Sequence, residues 1–182
     1  MRTRRRSAPP AAGEGQLVSE QVITVPVIGK VVGGHTGRMD DYKGGLESII
    51  RLNPEYPVET LQGIERFSHL QVTWFFSEGS PDDVALHARS PRDNPNWPAT
   101  GTFVHHNHRR PARIATSFPR LLGVDGRDLR VTDLDADDGT PVIDLVAVFQ
   151  EMLPHGPVSQ PSWPSEMLAN YWADASKRPH GE

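Results

Sequence analysis

FSHLQVTWFF, residues 67–76, decides the fold class. Leu70, Val72, Trp74 and Phe76 fall on one face of an extended chain, and Gln71, Thr73 and Phe75 on the other. That period of two, in a run of aromatic and β-branched residues, predicts a strand with one fully apolar face. Working outward, QVITVPVIGKVV predicts a strand over about 22–32, with Pro26 marking an edge or a bulge. ESIIRL (47–52) predicts another. PVETLQGI (57–64) reads as a short helix with Pro57 in its first turn and Gly63 near its end. Further strands are expected near 101–106, 114–122, 127–134 and 142–149. Asp125-Gly126 and Asp138-Gly139 supply turns between the last three. A short helix is expected near 164–173. The sum is a mostly β fold: a single small antiparallel β-barrel, or a sandwich, of about seven strands with short helices.

The rest of the composition agrees. The 17 prolines and 16 glycines, with a mean hydropathy of −0.50, argue for many turns and against helix bundles. Cysteine is absent, which excludes disulfide scaffolds and thiolate chemistry. No run approaches the roughly 18 consecutive apolar residues of a membrane span, so a protein in solution is expected, with no membrane partner. Residues 1–20 are rich in Arg, Pro and Ala and are expected to form a disordered tail, with one domain over 21–175. The tail does not read as a secretory signal, so the expected location is cytoplasmic. It carries Arg2, Arg4, Arg5 and Arg6 against Glu14 and Glu20; the remainder holds 15 bases against 21 acids, a body of net charge −6. An acidic body is a poor platform for wrapping nucleic acid, and no DNA partner is expected. GGHTGRMDDYKGG (33–45) is too polar and glycine-rich for regular structure and predicts a long loop of the kind that binds ligands. No G-x-G-x-x-G follows a strand and no phosphate-binding loop is present, so a nucleotide-type layered sheet is excluded.

Three constellations carry chemistry. His105, His106 and His108 sit in HHNHRRPARIA (105–115). On a strand His106 and His108 would share a face, an arrangement suited to a metal, but Arg109, Arg110 and Arg113 would repel a cation and no metal is expected. The same run suits an anion such as a carboxylate or phosphate; a solvated loop is the competing reading. The third constellation is TDLDADDGTPVIDL (132–145). Asp133, Asp135, Asp137 and Asp138 crowd before Gly139. The terminal acidic ligand of a calcium loop is missing, so the segment reads as a strand end, a tight turn and a buried strand carrying Asp144. No nucleophile elbow is present.

Taken in order, VIGKV (27–31), LQGIERFSHLQVTWFF (61–76), GTFVHHNHRRPARIATS (101–117) and LRVTDLDADDGTPVIDL (129–145) resemble the TrmO-like (YaeB-type) S-adenosylmethionine-dependent methyltransferases. The resemblance spans about 27–172, and PHGPVSQPSWPSEMLANYW looks like the tail of a shorter subgroup. It implies a small β-barrel, S-adenosyl-L-methionine as cofactor, a homodimer with the cofactor near its interface, and N6-methylation of threonylcarbamoyladenosine in tRNA as the known activity. Carried over by position, it implies cofactor contacts from Ser77, Glu78, His106, Thr116, Thr132, Asp133, Leu134 and Asp135. Arg110, Arg113 and Asp144 fall on the substrate side. The chain departs from the family where a Pro-Arg-Gln loop is expected, at His106 where an arginine is expected, at Ala112 and Ala115 of the R-P-N-P-I-G motif, and at Val146 in place of a lysine.

Those departures, with the acidic body, favour a small-molecule acceptor methylated on nitrogen. Transfer to tRNA, a different use of the cofactor (aminocarboxypropyl transfer or cyclisation) and a non-enzymatic binding module are the alternatives. Alignment of donor and acceptor supplies most of the catalysis in such chemistry. A nitrogen acceptor must also lose a proton, and His106 and His108 are the candidate bases.

Overall fold

A computed structural model describes residues 22–36 and 40–177; the expected tail over 1–20 lies outside them. Seven strands form: β1 (Gly29–Val32), β2 (Glu47–Leu52), β3 (Leu70–Phe75), β4 (Ile114–Ser117), β5 (Arg120–Asp125), β6 (Asp128–Thr132) and β7 (Pro141–Ala147). They build one antiparallel sheet in the order β4-β3-β7-β1-β2-β6-β5. Among the described residues the α-helical content is a single short helix, α1 (Ser162–Met167), with several 3-10 turns elsewhere. Among the described residues no helix is long and apolar enough to cross a membrane.

The period of two in β3 is realised as read: Leu70, Val72 and Trp74 are buried, and Gln71 and Thr73 are not. Every other central strand adds inward residues. Val31, Ile50, Leu129, Val131 and Val142 join Leu70 and Val72 at zero exposure. A sheet that turns one face of all these strands into a single interior must curl. Its two margins meet at one antiparallel bridge, His69 to Arg120. There the Leu70 amide donates to the Pro119 carbonyl at 3.0 Å and the Leu121 amide to the Ser68 carbonyl at 2.8 Å. The ladder is otherwise open between β4 and β5. Register between β2 and β6 is pinned on the outer face, where Arg51 grips Asp128 with two hydrogen bonds of 2.8 and 2.6 Å. That contact holds the Asp128 carboxyl below its ordinary range.

Five expectations are corrected. The strand near 101–106 is instead a 3-10 turn at Thr102–Val104 followed by irregular chain. The stretch 114–122 is two strands, because Pro119 has no amide to continue the ladder. Of 22–32 only Gly29–Val32 pairs; Val22 and Ile23 are extended and exposed. The helix at 57–64 is two 3-10 turns hinged at Gly63 (φ 86). The terminal helix begins earlier and ends at Met167.

Ile50 sits at the centre of this interior. Ile50→Ala should lower unfolding free energy by about 2–5 kcal/mol in urea titration; a loss under about 1 kcal/mol would show that the curled sheet has no common core at this point.

Candidate functional site

A cleft of about 660 Å³ opens where the ladder fails, between the margin strand β4 and the corner that follows β6. That volume is in the range of small-molecule and cofactor pockets. One wall is aromatic and comes from the end of β3: Trp74 and Phe76, edge to face with centroids 4.5 Å apart. Trp74 is fixed by its indole N–H, which donates to Ser117 Oγ at 3.0 Å. Ala115, Thr116, Ser117 and Phe118 supply the β4 side, and His106 and Arg110 the rim. The opposite side is acidic, built from Asp133 and Asp135, and Tyr171 and Trp172 of the C-terminal arm complete it.

The acidic side is held by long-range contacts. Asp133 adopts a left-handed backbone (φ 63), and its Oδ1 accepts the Gly45 amide at 2.8 Å. Asp135 is gripped twice: Lys43 Nζ lies 2.8 Å from Oδ1, and the Tyr171 hydroxyl donates to Oδ2. Lys43 is itself buried. Burial, and next the negative charge of Asp135, push the Tyr171 hydroxyl pKa far up, so it stays protonated and can donate to Asp135. Behind the cleft, His35 is buried in a bridge to Asp137 and its Nε2 has no partner among the described residues. Burial, with Lys43 beside it, holds the His35 pKa below its ordinary value against the opposing pull of Asp135 and Asp137. Burial also lifts the Asp137 carboxyl above its usual range, against Lys43 and His35.

The structure gathers His106, Thr116, Asp133, Asp135 and Arg110 into this cleft. It does not gather the other sequence candidates there. Leu134 is in the hydrophobic core. Thr132 ends β6, paired with Glu47 and Arg120. Ser77 and Glu78 follow β3 without lining the cleft, although the Glu78 charge reaches Asp137. Arg113 (φ 50) lays its guanidinium 4.7 Å above the Phe75 ring and donates to the Gly79 carbonyl. Asp144 is exposed on β7, opposite Thr73, not buried as expected. His108 does not share a face with His106, because 105–110 is not a strand. It lines a second recess of about 360 Å³ with Arg89, Arg109 and Asp93, and lies 3.8 Å from Asp83. His105 is buried, its Nε2 3.2 Å from the Thr100 carbonyl. Arg110 reaches the rim while donating to the Ile114 carbonyl. No group of three or more His, Asp or Glu able to hold a metal occurs among the described residues. Lys43, Phe118, Tyr171 and Trp172 were not singled out as site residues; Lys43 lies in the predicted binding loop 33–45 and Tyr171 and Trp172 in the C-terminal tail, and only the tertiary fold brings them together here.

Fold and site together define a curled antiparallel β-domain with an aromatic-and-carboxylate cleft at its open seam. Residues 36–152 match the family of the tRNA-methyltransferase O N-terminal domain, and the chain belongs to that family. RcsF of Pseudomonas aeruginosa, assigned by name to the S-adenosylmethionine-dependent methyltransferases, is 35% identical over 94 residues, 52% of this chain and 40% of that protein. A mouse tRNA (adenine(37)-N6)-methyltransferase is 31% identical over 93 residues, 51% of this chain and 20% of that protein. The crystal structure of TrmO from Pseudomonas aeruginosa superposes with a TM-score of 0.59 at 22% identity, covering 76% of this chain and 62% of that one. The chain thus spans two-fifths or less of the length of both named relatives, and the structural likeness concerns the fold.

His35 enters the fold neutral, so the unfolded chain takes up its proton first as pH falls. Its contribution is full above the unfolded value of about 6.5 and is lost as pH drops toward the lower folded value. Asp137 has the opposite sign: its contribution is present below the unfolded carboxyl value of about 3.9 and is lost as pH rises through the folded one. In urea midpoints measured across pH, His35→Asn should flatten the decline that begins below about pH 6.5. An unchanged decline in the variant would place the proton uptake on another group.

Proposed function

We propose that the chain is an S-adenosylmethionine-dependent methyltransferase and that the cleft between β4 and the Asp133–Asp135 corner holds the donor. The carrying observation is the pairing of an aromatic wall, Trp74 and Phe76, with the carboxylates of Asp133 and Asp135. Carboxylates and ring faces both favour a cation in a partly dry site. When bound, the donor supplies a methyl group already activated by positive sulfur. The chain's task is then to orient, to exclude water and to move a proton. Trp74, locked to Ser117, and Phe76 exclude water on one side. Asp133 and Asp135, each fixed by a partner from residues 43–45, face the positive charge. His106 on the rim accepts the proton of a nitrogen acceptor, and Arg110 beside it faces an acceptor's negative group.

The acceptor we infer is a small molecule. The body carries a net charge of −6, and Arg51 and Arg92 are paired with carboxylates while Arg113 is tied to Phe75 and a carbonyl. A body of that charge is a poor platform for a phosphate backbone. The second reading, tRNA as acceptor, is supported by the family and by the mouse relative's name. Use of another donor group, or ligand binding without turnover, would leave the same cleft. A homodimer in the cytoplasm, with the donor near its interface, completes the proposal.

Calorimetric titration of the full chain with S-adenosylmethionine should show saturable binding. Asp133→Asn, which tolerates the left-handed backbone, should weaken it about tenfold. His106→Ala should cut turnover far more than donor affinity. Mass analysis after incubation with an acceptor should show S-adenosylhomocysteine; methylthioadenosine would instead indicate transfer of the side chain. A steep fall of tRNA affinity with salt would favour the nucleic-acid reading. No uptake of the donor would sink the proposal.

A further inference from the structure

The residues that finish the cleft do not all come from the shared family region. That match ends at residue 152, whereas Tyr171 and Trp172 line the cleft from beyond it. Between them, residues 151–162 are exposed without interruption, a leash that includes Pro154, Pro157 and Pro161. After the leash, α1 docks through buried Trp163, and Glu166 accepts the indole N–H of Trp97 at 3.1 Å. The chain then runs beside the loop that carries Lys43. Tyr42 N donates to Asn170 O at 3.0 Å, Lys43 N to Tyr171 O at 2.7 Å and Gly44 N to Ala173 O at 3.1 Å.

Gly44 shows how close this approach is. A Cβ at that position would lie 2.2 Å from the Trp172 carbonyl oxygen, so any side chain there pushes the arm away. The loop is tied down on its other flank as well, where Arg92 makes two hydrogen bonds to Asp41, of 3.0 and 2.9 Å. Loop and arm therefore form one unit, and that unit closes on a single carboxylate. Lys43 takes one oxygen of Asp135 and Tyr171 takes the other. Asp135 is only partly shielded, its side chain 28% exposed, so without these two partners it would turn toward water. A carboxylate left free to reorient loses the preorganisation that makes it useful toward a bound cation.

We propose that Tyr171 is a positioning residue for Asp135, so that the cleft binds its cationic donor tightly only while the C-terminal arm is docked against loop residues 42–44. The inference rests on the reading of the cleft as a donor site and adds to it an element outside the family match. Tyr171 contributes a hydrogen bond to a charged acceptor, and its hydroxyl is held in the protonated form that can give one. Removing such a bond leaves the backbone contacts of the arm in place. The effect should therefore appear in donor affinity rather than in folding.

The test is a double-mutant cycle on the full chain, read by calorimetric titration with S-adenosylmethionine and by thermal unfolding. Tyr171→Phe should raise the donor Kd about tenfold with little change in Tm. In an Asp135→Asn background the same change should cost nothing further, because the carboxylate that Tyr171 holds is gone. A merely structural tyrosine would instead weaken both backgrounds alike. Gly44→Ala, which displaces the arm without touching either side chain, should reproduce the loss of affinity. Wild-type affinity in Tyr171→Phe, or equal losses in both backgrounds, would overturn the inference while leaving the donor site standing. Failure of the wild-type chain itself to take up the donor would overturn the functional reading, and this inference with it.

Discussion

Pro119 is the constraint on which the rest of the structure turns. Without an amide it cannot extend the ladder of β4, so the chain leaves β3 there and passes to β6. Its carbonyl still accepts the Leu70 amide, which keeps the two margins of the sheet in contact at His69 and Arg120. The same Arg120 pairs with Thr132. One step beyond Thr132 lies Asp133, so the kink that bends the sheet also brings the acidic corner toward β4. The cleft is thus a product of interrupted pairing. A complete ladder would have filled the seam with backbone hydrogen bonds.

Electrostatics at the seam follow from who is buried with whom. Lys43 is a buried cation that answers Asp135, and His35 behind it is held neutral by burial and by that lysine. Among the described residues Asp133 is held by one backbone amide, not by a cation. The acidic side therefore retains negative charge facing an aromatic wall. An anionic ligand would meet repulsion there, and a cationic one would not.

The β character of the chain could be read directly because it resides in short-range alternation: Leu70, Val72 and Trp74 obey it residue by residue. The failures have physical causes of equal locality. His105, His106 and His108 look like a strand end, but Gly101 and the 3-10 turn at Thr102–Val104 deny them a neighbour to pair with, so His106 and His108 part company. Thr116, Asp133 and Asp135 were reachable through the family pattern, and the structure does put them in one cleft. The meeting of Lys43 and Tyr171 was not reachable, since 128 positions of chain separate them, one in the polar loop 33–45 and the other in the C-terminal tail. Their meeting on Asp135 is written only in the tertiary fold.

The arm raises a more general point about what a shared region can do alone. Residues 36–152 contain the whole sheet apart from β1, and both carboxylates of the cleft. They do not contain the hydroxyl that holds Asp135 or the indole of Trp172. The leash over 151–162 has no burial to hold it, so the arm stays in place through α1, the backbone pairing with residues 42–44 and Tyr171 itself. Few contacts on an exposed tether make a segment that opens at low cost. A ligand that needs Asp135 fixed would favour the docked arm, and a docked arm would favour that ligand, because the two equilibria are linked. Proteins that share the sheet but carry other sequence after residue 152 must supply this half of the cleft by other means.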